Sequence, residues 1–245
     1  MKWLHPLITF IYPARCRSCE QPMGVGRVNY FCDACWDSLE LLRSPWCQVC
    51  GIPLSPKDGF YEVICRGCRT INPTFGKLRA IAFYDRTMRE AIHLMKYEKK
   101  PALAKHLVRL SQTHLPDDLN ASDYDFLVPI PLHTNRYRTR GFNQAERIAR
   151  GIGKVWGLPV RTDVLFRIRN TVPQSQLESV EARERNIRGA FDVRLAEGVR
   201  ESRILLVDDI FTTGTTIREA IRVLRAAKPN TVDVLTLTRT RPKNR

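Results

Sequence analysis

No stretch of this 245-residue chain approaches the roughly twenty consecutive apolar residues that a membrane-crossing helix requires. The apolar amino terminus, MKWLHPLITFIYPA, is short, carries a single Lys, is interrupted by Pro6 and Pro13, and lacks a small-residue cleavage site. It therefore does not read as a signal peptide. The expectation is an element packed on the body of a cytoplasmic protein, with no stable membrane span. Carboxylates are scarce: 25 Asp and Glu face 40 Lys and Arg, leaving a net charge of +15. That balance points to an anionic partner such as nucleic acid, a polyphosphate or a membrane surface. No helix-turn-helix signature is present, which weighs against a transcriptional regulator. Cysteine is absent after Cys68. Apolar residues make up 43% and charged residues 27%, which excludes disorder along the whole chain. The length allows one sizeable α/β domain and a small appendage.

The eight cysteines form four C-x-x-C pairs: Cys16/Cys19, Cys32/Cys35, Cys47/Cys50 and Cys65/Cys68. A two-residue spacer lets both thiolates of a tight turn face one tetrahedral ion, and two such turns complete a four-sulfur zinc site. Disulfides do not suit a cytosolic chain, and a redox motif is expected once rather than four times. Two structural zinc ions are expected. Sequential pairing closes short loops and is preferred on chain entropy. A crossed arrangement, first pair with third, stays open. Four thiolates leave no position for catalytic water. A segment this small draws much of its folding energy from metal. The expected boundaries are residues 1–72 for this double ribbon and 73–245 for the second unit.

After Pro73, KLRAIAFYD reads as a strand, and Met88, Ile92 and Met95 mark one face of a helix closed by Lys96 and Tyr97. A second helix is expected over 102–114, then a loop, the strand FLVPI, a helix over 143–156, a strand near 160–168, a long polar tract, the strand 204–207, a helix over 217–227 and the strand VDVLTLT. This alternation predicts a mostly parallel sheet flanked by helices. Ligands in such sheets bind beyond the carboxyl ends of the strands.

At one such end lies ILLVDDIFTTGTT. Ile204 and the three apolar residues after it read as a strand covered on both faces. Thr216-x-x-Glu219 reads as a capping box opening a helix. Backbone N–H groups converging at a helix amino terminus favour a phosphate, and Gly214 permits close approach or positive φ. The hydroxyls of Thr212, Thr213, Thr215 and Thr216 can donate to phosphate oxygens. Asp208 and Asp209 are acceptors suited to vicinal sugar hydroxyls, directly or through Mg²⁺ and water. A five-carbon sugar phosphate satisfies both halves.

VDDIFTTGTT resembles the phosphoribosyl pyrophosphate signature of type I phosphoribosyltransferases. VPIPLHTNRYRTRGFNQA resembles their pyrophosphate loop, which implies binding by backbone groups around Pro131 and Leu132 with Arg136, Arg138 and Arg140 as clamps; Arg136 and Arg140 are the chosen substrate contacts. His133 reads as a polar loop residue and not as a catalyst. The tract from Arg167 to Arg188 corresponds to the mobile loop that closes over the site in those enzymes. With the four C-x-x-C pairs, Lys96-Tyr97, Thr171-x-x-Gln174-x-x-Leu177, Arg183-x-x-Asn186 and Gly189-Ala190-Phe191, the chain resembles the ComF/GntX family almost end to end.

That resemblance implies an α/β type I phosphoribosyltransferase-like fold with an amino-terminal double zinc ribbon. It also implies binding of phosphoribosyl pyrophosphate with Mg²⁺, and a part in natural competence, DNA uptake and transformation. Single-stranded DNA and DNA-uptake helicase or recombination proteins are the implied partners. If an enzyme, the chain transfers ribosyl 5-phosphate with loss of pyrophosphate, with Asp208 and Asp209 as the catalytic pair; no acceptor is legible. The alternative is a DNA-binding or regulatory protein with a vestigial site, supported by the positive charge, the arginine tracts and the RTRPKNR tail.

Overall fold

A computed structural model of the chain describes residues 14–23, 30–54, 63–71, 73–98, 101–194 and 196–242. Most of the apolar amino terminus, part of the EKKP break and the end of the basic tail lie outside these residues.

The cysteine segment carries two short helices, α1 (Asp33–Asp37) and α2 (Arg66–Ile71). Then follow β1 (Leu78–Phe83), α3 (Arg86–Tyr97), α4 (Pro101–Thr113), β2 (Phe126–Pro129), α5 (Thr134–Arg140) and α6 (Gln144–Trp156). The last third holds β3 (Leu165–Arg167), α7 (Val180–Ile187), β4 (Phe191–Val193), β5 (Arg203–Phe211), α8 (Thr215–Ala226) and β6 (Thr231–Arg239). The main sheet has the order β1-β6-β5-β2, and all its pairings are parallel.

Alternation along β5 sorts its side chains into two cores. Ile204 and Leu206 pack with Ile217, Ile221 and Leu224 of α8. Leu205 and Val207 pack with Met88 and Ile92 of α3, Leu107 of α4 and Ile148 of α6. The result is a helix–sheet–helix sandwich.

The cysteine segment straddles the outer edge of β1. Leu42 N–H donates to Ile81 at 2.9 Å and Phe83 N–H donates to Glu40 at 2.9 Å, so this segment occupies the edge that β1 would otherwise expose. Cys16 and Cys35 join the core on the α3 side, whereas Cys47, Cys50, Cys65 and Cys68 join the core on the α8 side.

Two sequence expectations change. The strand near 160–168 divides: Val160 forms a parallel bridge with Leu127 beside the main sheet, and only Leu165–Arg167 forms a strand, antiparallel to β4 in a separate two-stranded sheet. The strand expected to stop at Val207 continues through both aspartates to Phe211, because β6 keeps pairing with it as far as Phe211↔Arg239.

Candidate functional site

The thiols gather in the sequential arrangement. Cys16, Cys19, Cys32 and Cys35 form one group and Cys47, Cys50, Cys65 and Cys68 the other, with all sulfurs of a group within 4.8 Å of one another. Sulfurs held roughly 2.3 Å from a tetrahedral ion stand about 3.8 Å apart. The pairs Cys16–Cys35, Cys19–Cys32 and Cys50–Cys65 are each 3.7 Å apart, far beyond a disulfide bond. Backbone N–H groups point at the sulfurs: Ser18 and Cys32 donate to Cys16 Sγ at 3.4 Å, and Cys65 donates to Cys47 Sγ at 3.3 Å. Burial opposes ionisation of Cys16, yet the backbone N–H groups of Cys19, Cys32 and Ser18 and the Cys19 thiol bring it down to about 6. Both groups fit a structural zinc. They differ in access: the second is wholly buried, whereas Cys19 is exposed and Cys32 half-buried.

The second feature is a cavity of about 480 Å³ at the carboxyl ends of the strands. Of the residues singled out in the sequence, Asp208, Asp209, Thr212, Gly214, Thr215, Thr216, Leu132, Arg136 and Arg140 line it. Pro131 instead lines a smaller cleft of about 200 Å³ beside it. Thr213 is not on the wall; its carbonyl accepts from Arg218 at 2.7 Å and its hydroxyl lies 3.3 Å from that of Thr215. Among the described residues, none of the cysteine segment reaches the wall.

The loop after β5 is shaped by Gly214, whose φ is +75°. A Cβ there would stand 2.7 Å from the Phe211 ring, so only glycine permits this turn. Gly214 is the N-cap of α8, which begins at Thr215. The expected Thr216/Glu219 capping box does not form. Glu219 instead accepts the Gly189 N–H at 2.7 Å and pairs with Arg222 at 2.8 Å. It thereby anchors the end of the Arg167-to-Arg188 tract to α8.

The stretch after β2 departs from a simple loop. Residues 134–140 wind into α5, whose N-cap is His133, with Nδ1 accepting the Asn135 N–H at 3.3 Å. Gly141, at φ +81°, ends it. Asn143 caps α6 through Ala145 N–H at 3.1 Å and donates to the Ile130 carbonyl at 2.9 Å, fixing the chain after β2. The Arg167-to-Arg188 tract carries α7 and folds back on itself, with Asn186 bonding both backbone groups of Val172 and Arg183 donating to Leu177. Arg136 and Arg167 both donate to Thr171.

Several wall residues have no local signal as ligands of this site. Lys96 Nζ lies 2.7 Å from Asp209 Oδ2. Gln144, Arg167, Gln174 and Arg183 complete the rim. Three buried polar atoms on the wall lack a partner among the described residues: Gln144 Nε2, Arg167 Nε and Gln174 Oε1. Buried polar atoms are normally satisfied, so these are what a polar ligand would engage. Five cations (Lys96, Arg136, Arg140, Arg167 and Arg183) share the wall with two carboxylates, which suits a polyanion carried with a divalent cation.

Burial, then the neighbouring charge of Asp209, pushes the Asp208 carboxyl up to about 7 against the pull of Lys96, the Asp209 N–H and Arg167. Burial likewise lowers the Arg167 guanidinium to about 10, with Arg136 as the next cause. A carboxyl with a raised folded pKa stabilises the fold while protonated. That contribution is fully present below about pH 4 and is lost as pH rises through 7. Asp208→Asn should therefore raise stability at pH 8 by on the order of 2 kcal/mol, allowing for screening at a half-buried position, and flatten the decline between pH 4 and 7. Thermal melts of both proteins across that range check this; equal slopes would show that Asp208 titrates normally.

The family model for a phosphoribosyl transferase domain matches residues 93–244, and that for a double zinc ribbon domain matches residues 7–69. Competence protein F of Haemophilus influenzae is 25% identical over 92% of this chain and 96% of its own length. DNA utilization protein YhgH of Escherichia coli is 27% identical over 93% and 98%, and competence protein ComFC of Bacillus subtilis 26% over 85% and 83%. A solved structure of the allosteric regulatory enzyme of purine biosynthesis is 22% identical at a TM-score of 0.35, over 58% of this chain and 26% of that one. The chain belongs to the phosphoribosyl transferase domain family, in the ComF/GntX arrangement that joins a double zinc ribbon to that domain.

Proposed function

We propose that the cavity binds phosphoribosyl pyrophosphate, or a closely related sugar phosphate, together with Mg²⁺. The observation that carries this reading is the convergence, in one cavity, of the Asp208–Asp209 pair with the Thr/Gly loop that opens α8. The loop N–H groups and the hydroxyls of Thr212, Thr215 and Thr216 hold the 5-phosphate at the amino terminus of α8. Asp208 and Asp209 accept from the ribose hydroxyls. Arg136, Arg140 and the backbone near Leu132 hold the diphosphate. Mg²⁺, when bound, neutralises diphosphate charge and favours its departure. Departure of pyrophosphate leaves an oxocarbenium-like sugar, so these residues act by positioning and charge.

Residues 1–72 form, in this proposal, a metal-folded unit that docks on the sugar-phosphate unit of 73–245. The relatives are named for competence and for DNA utilization; a cytoplasmic setting is proposed here, with single-stranded DNA as the macromolecular partner. The net charge of +15 and exposed Tyr137 on the arginine-bearing α5 support that partner. Among the described residues, no helix is long and apolar enough to cross a membrane.

Calorimetric titration of phosphoribosyl pyrophosphate with Mg²⁺ tests the site. Wild type should bind, and Asp208→Ala/Asp209→Ala should weaken binding by at least about a hundredfold, or roughly 3 kcal/mol. Absence of binding to wild type would overturn the reading and make DNA binding the leading function.

A further inference from the structure

The Lys96–Asp209 pair has a place in the site that charge balance alone does not explain. Lys96 lies in the last turn of α3, and its ammonium meets Asp209 Oδ2 at 2.7 Å, with both side chains largely buried at 20% and 10% exposure. Among the described residues, Lys96 is the partner of the Asp209 carboxylate. The Asp209 N–H donates to Asp208 Oδ1 at 2.8 Å, and its carbonyl accepts from Thr238 at 3.2 Å.

Lys96 is also held from outside the cavity. Helix α3 is fastened at both ends by the first cysteine group: the Ser18 hydroxyl lies 2.8 Å from that of Thr87 in the first turn, and Arg17 pairs at 3.3 Å with Glu98, the C-cap residue. Independently of the carboxylates, the wall presents Gln144, 2% exposed and with Nε2 lacking a partner among the described residues. The cavity that Lys96 lines therefore still presents a polar group with a bond to make.

We infer that Lys96 is the resident counter-ion of this cavity: in the ligand-free protein its ammonium takes the position on Asp209 that a divalent cation or a ribose hydroxyl must occupy. The inference rests on the sugar-phosphate reading above. A divalent cation arriving alone must displace a tethered ammonium from a largely buried carboxylate, leaving that ammonium without its partner. A cation arriving on a diphosphate brings phosphate oxygens that can receive the released ammonium in the same cavity. Metal and sugar phosphate are therefore taken up together, and the free protein has little affinity for the metal. No bond is made or broken in this step; one ion pair is exchanged for two.

The test uses Mn²⁺ as a paramagnetic probe, titrated into the zinc-loaded full chain and followed by electron paramagnetic resonance. Wild type should bind Mn²⁺ weakly. Lys96→Ala should bind it at least about tenfold more tightly, and Lys96→Ala/Asp209→Asn should lose that gain. Lys96→Met keeps the apolar stem and serves as the second variant, with melting curves as the control for folding. A Lys96→Ala or Lys96→Met affinity within about twofold of wild type overturns the inference. So does a gain that survives Asp209→Asn. Titration of wild type with phosphoribosyl pyrophosphate and Mg²⁺ separates the two failures. If it binds while Lys96→Ala leaves Mn²⁺ affinity unchanged, the counter-ion role alone is lost. If it does not bind, the sugar-phosphate reading is lost.

Discussion

Stripping both zinc ions from the protein, or replacing Cys47 and Cys50 by serine, should unfold the cysteine segment and destabilise the sheet it covers. A four-cysteine zinc site contributes about 10–16 kcal/mol at neutral pH, comparable with the roughly 5–15 kcal/mol that holds a whole domain folded. The segment has little apolar core to set against that loss. Its second thiol group is buried against Phe75 and Leu78, and the Leu78 N–H donates to the Val49 carbonyl at 2.7 Å within the Cys47–Cys50 knuckle. Without metal, four buried sulfurs lose their common ligand and the β1 edge loses its cover. The two ions should leave in two phases, the first from the group containing exposed Cys19 and half-buried Cys32. Zinc release to a chromophoric chelator, followed together with near-ultraviolet circular dichroism, checks this. A zinc-free protein with an unchanged melting temperature would show that the thiol groups do not carry the fold.

Arg79→Met should destabilise the protein by about 2–4 kcal/mol, somewhat below the range for a fully buried pair because Asp118 is partly exposed. Arg79 is 2% exposed as the second residue of β1, a strand buried along its whole length, where an apolar residue would be expected. Its guanidinium pairs with Asp118, donates to the carbonyls of Leu78 at 2.8 Å and Gln48 at 2.9 Å, and stacks 5.4 Å from the Trp46 ring. One side chain thus joins the sheet, the loop before β2 and the Cys47–Cys50 knuckle. Methionine fills much of the volume but leaves a carboxylate and two carbonyls without their donor. Adding Asp118→Asn should recover part of the loss, since the stranded charge is then removed. Urea unfolding of the single and double variants measures both effects. A loss below about 1 kcal/mol for Arg79→Met would mean that water replaces the clamp.

The two features most legible in the amino-acid sequence share a physical character. Zinc ligation by C-x-x-C pairs and the phosphate binding proposed for VDDIFTTGTT both need particular residue types at fixed short spacing, so the chemistry is written within a few residues of chain. The parallel sheet was legible for the same reason: apolar runs alternating with helical periodicity are local signals. What the folded chain alone decided involves residues distant in sequence. Thr216-x-x-Glu219 fits a capping box, yet Glu219 is drawn to Gly189 and Arg222, and Gly214 caps the helix instead. β5 runs on through Asp208 and Asp209 because β6 continues beside it. Pro131 faces a neighbouring cleft and Thr213 turns away, because the α5 and α8 turns set which side chains meet the cavity. Lys96 reaches Asp209 because α3 packs on β5 through Met88 and Ile92 and is tied at its start to the first cysteine group. Local spacing specifies which atoms a site can use; long-range packing selects which of them converge.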